Sequence, residues 1–297
     1  MPPAVVRDAR AEPAAAATSA VFAVRSGELV AYDAVLASFR ATLGSEVAST
    51  SLPDVQEHAT AVLDRLAADR PKLFFALGAR AAAVLHHELP GTPLVFAMVL
   101  QPDRYELTGR NVAGVRQTVD PRTQLRALHR LMPALRRVGV PFDPEHTRAL
   151  ADEAVADGLE LGLTPVAAAI ASKEAAAGVL SRLVENVDAL WVPPDSTLVN
   201  PETLALLLHV ASEHRIAVMT HSEHVVETGA LLALAVDERA VGARAAEIAR
   251  EVLAGKPAGQ IGIVDAPARL VLNVDAAARL GLSIPREMLR EAARVYP

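Results

Sequence analysis

The sequence predicts an α/β protein of two lobes, each a parallel sheet flanked by helices. Three observations carry that expectation. About ten short apolar segments of strand length alternate with stretches of helical periodicity, the pattern of successive βαβ units. Runs such as Leu73–Leu77 and Leu94–Leu100 are apolar without interruption, as in strands covered on both faces. The alternation restarts near residue 115, which divides the series into two sheets. A length of 297 residues also fits two lobes better than one.

Residues 1–18, rich in Pro, Ala and charge without a period, read as a flexible leader. Ser19–Val24 is a strand, followed by a helix with Tyr32, Val35, Leu36, Phe39 and Leu43 on one face. Val47–Leu52 is a weaker strand. Pro53-Asp54 introduces a helix marked by Val55, Ala59, Val62, Leu63 and Leu66. Strand Lys72–Leu77 stops at Gly78. An alanine-rich helix over 79–89 stops at Pro90-Gly91, and strand 94–100 stops at Pro102. After the restart, Leu125, Leu128 and Met132 form a helix face, Arg137–Pro141 a strand, and 146–158 a helix. A strand follows near 160–166, then a helix through Ala176, Val179, Leu180 and Leu183. Strand Ala189–Val192, a helix through Leu204, Leu207, Leu208 and Ala211, and strand Ala217–Thr220 come next. Leu231–Val236, a helix with Val241, Ala245, Ile248 and Val252, and Leu270–Val274 close the series. No internal repeat or low-complexity linker separates the two halves, so their connections are expected to be short.

Composition excludes several classes. Hydrophobic residues at 52% and charged residues at 22% are those of a folded globular chain. A net charge of -6 gives non-specific nucleic-acid binding no electrostatic support. A repressor would also need an N-terminal helix-turn-helix, for which residues 1–18 are too short. Without cysteine there is no disulfide, thiolate metal site or Cys nucleophile. No apolar run reaches the roughly 18–20 residues that span a bilayer. Arg7, Asp8, Arg10 and Glu12 interrupt the amino-terminal stretch, so no signal peptide is read there. The expectation is either a cytoplasmic protein or one whose export signal has been removed.

Dinucleotide-binding, Walker, nucleophile-elbow and H-E-x-x-H patterns are absent. His221-Ser222-Glu223-His224 is the best metal pattern, but with no third strong ligand nearby it reads as a polar loop, and no metal is expected. The informative residues follow the strands: Arg25-Ser26-Gly27-Glu28, Gly78-Ala79-Arg80, Phe142-Asp143 and Pro193-Pro194-Asp195-Ser196-Thr197. Parallel sheets bind ligands outside the carboxyl ends of their strands. Helix N-termini there present free N–H groups and positive potential to a carboxylate. Each residue alone reads equally as ordinary cap or turn chemistry; the convergence of four such loops is what points to a binding cleft.

The order of motifs carries a resemblance. Phe75-Ala76-Leu77-Gly78 is followed by Val95 through Pro102, Asn111-Val112-Ala113-Gly114-Val115, Leu131-Met132-Pro133 and Arg137-Val138-Gly139-Val140. Then come Val187 through Asp195, Thr228-Gly229-Ala230, Leu253-Ala254-Gly255-Lys256-Pro257-Ala258, and Asn273 through Leu280-Gly281-Leu282-Ser283-Ile284-Pro285. From residue 20 to 297 the chain resembles the ABC-transporter substrate-binding proteins, the family with tryptophan- and tyrosine-binding members. The resemblance implies a type I periplasmic-binding-protein fold with three crossings, near 115, 229–230 and 258. Lobe one would be 19–114 plus 230–258, and lobe two 115–229 plus 259–297. It implies that Asp195 meets a ligand amino group, the alternative being an N-cap for helix 201–214 or a turn residue. Ser26, Gly27, Gly78, Ala79 and Arg80 would face it for a ligand carboxylate. Tyr32, Met98, Phe142 and Trp191 would supply apolar walls, with Ser222 completing the set. The function implied is capture of a small ligand, an amino acid or related carboxylate, by a monomeric extracytoplasmic receptor that closes its lobes and delivers to an ABC permease. No cofactor, catalysis or nucleic-acid partner is expected. The alternative is a sensory binding module of the same fold, uncoupled from transport.

Overall fold

The structure, a computed structural model, describes residues 20–53 and 56–297, the side chains of 56–58 excepted. The leader expected over 1–18 lies outside the described residues, as does Ser19 at the expected start of the first strand. The chain begins with β1 Val21–Arg25, α1 Val30–Leu43, β2 Ala48–Ser51, α2 Gln56–Asp69, β3 Leu73–Leu77, α3 Ala79–Glu88, β4 Leu94–Val99 and β5 Val112–Arg116. It continues through α4 Pro121–Leu131, β6 Arg137–Phe142, α5 Arg148–Glu160, β7 Thr164–Ala169, α6 Lys173–Val184, β8 Ala189–Trp191, α7 Pro201–Glu213, β9 Ala217–Thr220, α8 Glu223–Glu227 and β10 Leu232–Val236. It closes with α9 Glu238–Leu253, α10 Ala258–Ile261, β11 Ile263–Val264, β12 Ala268–Asn273, α11 Val274–Arg279, α12 Arg286–Glu291 and β13 Arg294–Tyr296.

Among the described residues the strands form two sheets. One has six strands in the order β11-β5-β4-β3-β1-β2, the other seven in the order β13-β12-β10-β9-β8-β6-β7. All pairings are parallel except β10 with β12. This is the architecture the sequence predicts, and its cause is visible in β3. Leu73, Phe75 and Leu77 enter one core with α1 and α9, while Phe74 and Ala76 enter another with α3. A strand with both faces covered must be apolar at every position. The Phe39 and Phe75 rings stack at 3.9 Å across the first of these cores.

Two of the three expected crossings move. β10 hydrogen-bonds to β9 and β12, so Leu232–Val236 belongs to the second sheet, not to the first lobe. β11 pairs with β5, so Ile263–Val264 belongs to the first sheet, not to the second lobe. The chain therefore passes between sheets at 117–120, at Asp237 and at 265–267. Gly229-Ala230, where a crossing was expected, is only the turn from α8 into β10. Pro257, near the other expected crossing, is only the N-cap of α10. A buried apolar strand has the same composition in either sheet, so its membership is set by pairing partners. Helices start promptly after the first two crossings. The Asp120 carboxylate accepts from the Thr123 N–H and that of Asp237 from the Ala240 N–H, each capping the helix it precedes.

The helix pair α1 and α9 binds the returning segment to the first sheet. A Cβ on Gly242 would collide with the Val35 carbonyl oxygen, so the two backbones touch because that position has no side chain. The Ser38 hydroxyl donates to the Arg239 carbonyl at 2.6 Å beside it. Among the described residues no helix is long and apolar enough to cross a membrane.

Candidate functional site

At the carboxyl edge of the first sheet the structure brings Ser26, Tyr32 and Gly78 together. The Ser26 N–H donates to the Leu77 carbonyl at 2.8 Å, and its hydroxyl accepts from the Ala81 N–H at 2.9 Å. Ser26 thus supplies the cap that Gly78, at the N-cap of α3, cannot. Gly78 has φ +89, and a Cβ there would collide with the Tyr32 hydroxyl and lie 2.6 Å from Ser26 Oγ. Burial pushes the Tyr32 phenol up, opposed by its bond with Ser26. Gly27 faces open space, and Ala79 packs against the core at the start of α3. The Arg80 guanidinium donates to the Leu52 and Pro53 carbonyls, anchoring the segment after β2.

The second sheet corrects three expectations. Asp195 is 1% exposed. Its carboxylate accepts from the Asp143 N–H at 2.9 Å and from the Thr147 hydroxyl. It also accepts from the N–H groups of Thr197 at 2.8 Å and Leu198 at 3.2 Å. Four donors saturate it, so it ties the β8–α7 loop to the β6–α5 loop and has nothing left for an amino group. It is the turn residue of the two readings; Asn200, accepting from the Thr203 N–H, caps α7. Trp191 is fully buried among core side chains, its indole N–H donating to Gln124 Oε1 at 3.0 Å. Phe142 lies in the same core with the Arg148 guanidinium 5.4 Å from its ring centre. Neither is a cleft wall. Asp143 accepts from Thr197, from the Glu145 N–H and from His146. Desolvation alone would raise its carboxyl; those bonds together outweigh it and hold it at about 2.

Between the sheets lie two cavities that share Leu100 and Thr118. The larger, about 520 Å³, separates the segment after β4 from the starts of α4 and α5. It is charged, with Arg104, Arg116 and Arg148 against Asp120, Glu145 and Glu153. Gln101 Nε2 bridges beside it to the His146 carbonyl at 3.1 Å. Burial raises the Glu153 carboxyl, with Arg116 opposing.

The smaller cavity, about 380 Å³, is lined by residues at or beside all three crossings: Gln117 to Val119, Leu234 to Val236 with Glu238, and Arg269. Of the predicted site residues, Met98 and Ser222 line it. Met98 has φ +61 at a register shift in the β4–β5 pairing. Such a backbone is unusual for a side chain of this size and turns Met98 out of the regular alternation. Pro194 and His221 reach the cavity from β8 and β9. Glu223 accepts from Arg269 at 2.8 Å and from the Tyr296 hydroxyl at 2.9 Å, and His224 pairs with Glu227 at 3.5 Å. Among the described residues no group of three or more His, Cys, Asp or Glu could hold a metal ion. Burial pushes the His221 imidazole down to about 4, against a hydrogen bond to the Val192 carbonyl. It is neutral at pH 7, and its Nδ1 is buried with no partner among the described residues. Nothing in the sequence marks Arg269, Gln117 or Glu238, since each looks like any exposed polar side chain in its segment. His221 was visible only as half of a metal pattern.

A family model described as ABC transporter substrate binding protein matches residues 47–296. A tyrosine-binding protein of Clostridioides difficile (strain R20291) is 24% identical over 241 residues, covering 77% of this chain and 67% of that protein. Among solved structures, the ligand-free, open form of a substrate binding protein with adhesive properties from Clostridium difficile has a TM-score of 0.80 at 19% identity, over 93% of this chain and 98% of that one. An ABC domain in complex with L-Trp from Streptococcus pneumonia has a TM-score of 0.64 at 21% identity, again over 93% and 98%. At these identities the structural likeness establishes the two-lobed α/β fold.

Proposed function

The chain belongs to the ABC transporter substrate binding protein family, and from that premise we propose that it captures an amino acid, aromatic in the first instance, between its two sheets and delivers it to an ABC permease. The observation that carries this reading is the cavity of about 380 Å³ at the carboxyl edges of the sheets, lined by segments at or beside every crossing. Its size falls in the range of small-ligand sites. Its placement makes it sensitive to any change in the angle between sheets, because the crossings are the hinges.

Met98, Pro194 and Leu234 supply apolar walls, and Arg269 with the N-terminus of α3 supplies positive potential for a carboxylate. Ser26, Gly27, Tyr32, Gly78 and Arg80 form the facing edge that meets the ligand when the lobes close, and Ser222 joins from the second. The names of the relatives support an aromatic amino acid as the ligand. The receptor works outside the cytoplasm as a monomer.

The test is mass spectrometry of small molecules co-purified with the protein, followed by calorimetry with L-tyrosine and L-tryptophan. One of these should bind at a single site with micromolar or tighter affinity. Absence of binding by every proteinogenic amino acid to ligand-stripped protein would overturn the ligand class.

A further inference from the structure

Among the described residues four non-glycine residues have positive φ. Arg70, Glu106 and Arg215 are exposed and follow the ends of helices, where a chain ordinarily turns left-handed. Met98, at φ +61, lies inside β4 and is 8% exposed. For a side chain of its size that backbone costs free energy, and residues held so gather at ligand sites. The consequence is visible in the cores. Leu94 and Phe96 pack on the α3 side of the sheet, Val95 and Ala97 on the side of α1 and α9. A regular strand would therefore send Met98 after Phe96. Instead the register with β5 slips between Ala97 and Val99, and Met98 joins Ala97 on the α1 and α9 side, where it lines the smaller cavity. Backbone bonds fix the slip on both sides. The Ala97 carbonyl accepts from the Gly78 N–H at 2.9 Å and the Val99 carbonyl from the Gln117 N–H at 3.1 Å. The bulge re-aims one side chain and is anchored to the edge of the site and to the first crossing.

Among the described residues no Phe, Tyr or Trp lines either cavity. Tyr32, on the facing edge, is buried with its hydroxyl against the place of a Gly78 Cβ. An aromatic ligand in the smaller cavity thus has no aromatic wall to stack on. The other apolar walls there are Leu100, Val119, Pro194 and Leu234 to Val236. Met98 differs from them in carrying a polarisable thioether on an unbranched chain, which adapts to irregular shapes and makes favourable contacts with aromatic rings. Resting on the aromatic amino-acid reading above, we infer that Met98 is the specificity-determining residue of this cavity: its thioether packs against the ligand's ring and takes the place of aromatic stacking. The bulge holds its backbone ready, so only side-chain torsions are ordered when the ligand arrives.

The experiment is NMR on the full chain with methyl-labelled methionine, titrated to saturation with L-tyrosine and with L-tryptophan. The sequence has five methionines, and Met98→Leu identifies the Met98 signal by its loss. Should that variant not fold, Met98→Gly, which suits φ +61, gives the same identification. The Met98 methyl should show intermolecular NOEs to the ring protons of the bound amino acid. In calorimetry Met98→Leu, which keeps the apolar volume and removes the sulfur, should weaken that amino acid by roughly twofold to tenfold, the range of a sulfur–aromatic contact. Its ligand-free melting temperature establishes that it is folded. A bound aromatic amino acid without NOEs to the Met98 methyl overturns the assignment, as does a folded Met98→Leu that binds it as tightly as the original. An unaltered protein that binds neither L-tyrosine nor L-tryptophan overturns the aromatic reading and this assignment with it, so the two failures are told apart.

Discussion

Asp195 shows how a residue at a strand end can be misread. In sequence a carboxylate after a buried strand looks the same whether it meets a ligand or ties two loops. The difference lies in Asp143, Thr147, Thr197 and Leu198, whose donors converge on it only in the fold. Asp195→Ala should therefore cost stability, roughly 2–4 kcal/mol for stranding several buried donors, measured by urea unfolding. Affinity for L-tyrosine or L-tryptophan in the folded variant should stay within about threefold; loss of binding at unchanged stability would reverse the assignment. Gly78 was legible as a strand stop, but the reason for a glycine there was not. The Tyr32 hydroxyl occupies the space of its missing Cβ, and φ is +89. Gly78→Ala should lower the melting temperature and weaken ligand binding together. Acid stability separates two other residues. His221 titrates near 4 in the folded chain against 6.5 ordinarily, so between those values the unfolded chain holds the extra proton. Stability falls as pH drops through that window, by about 3 kcal/mol in all. Asp143, at about 2 against 3.8, adds its own loss only below pH 3.8. The groups sharing the cavity with His221 are Glu223, His224, Glu238 and Arg269. His221→Phe should flatten the stability curve between pH 6.5 and 4 and leave the steeper acid limb in place; an unchanged slope would show that His221 does not titrate there.

At the scale of elements, helices and strands were read mainly from periodicity, and the α1–α9 contact from nothing in the sequence. Gly242 looks like a weak point in a helix, since glycine costs about 1 kcal/mol there relative to alanine. In the fold it is the point where α9 meets the α1 backbone at Val35. Gly178, in the middle of α6, has no atom within 4 Å of a built Cβ. The two glycines should respond with opposite signs. Gly178→Ala should stabilise by about 0.5–1 kcal/mol. Gly242→Ala should destabilise by about 1–3 kcal/mol, because the backbone it meets has nowhere to go. Denaturant midpoints of both variants at equal slope decide the matter; a stabilised Gly242→Ala would mean that the helices separate without penalty.

For the whole molecule, the alternation of apolar runs with helical faces was enough to foresee two parallel sheets, because each run must be covered on both sides. Where the chain passes from one sheet to the other was harder. β10 and β11 carry no mark of which sheet receives them, and the turn signals at Gly229 and Pro257 each fall one strand before the true crossing. The candidate site divided likewise. Met98 and Ser222 line the cavity at the crossings, whereas Trp191 and Phe142 are core residues at strand ends. An indole that finds Gln124 inside the core is indistinguishable in sequence from one that stacks on a ligand. A ligand held at these crossings should draw the two sheets together. Small-angle scattering of the ligand-free protein, titrated to saturation with whichever aromatic amino acid calorimetry shows to bind, tests it most directly. The radius of gyration should fall on saturation, following the same binding isotherm. A scattering profile unchanged at full occupancy would contradict it.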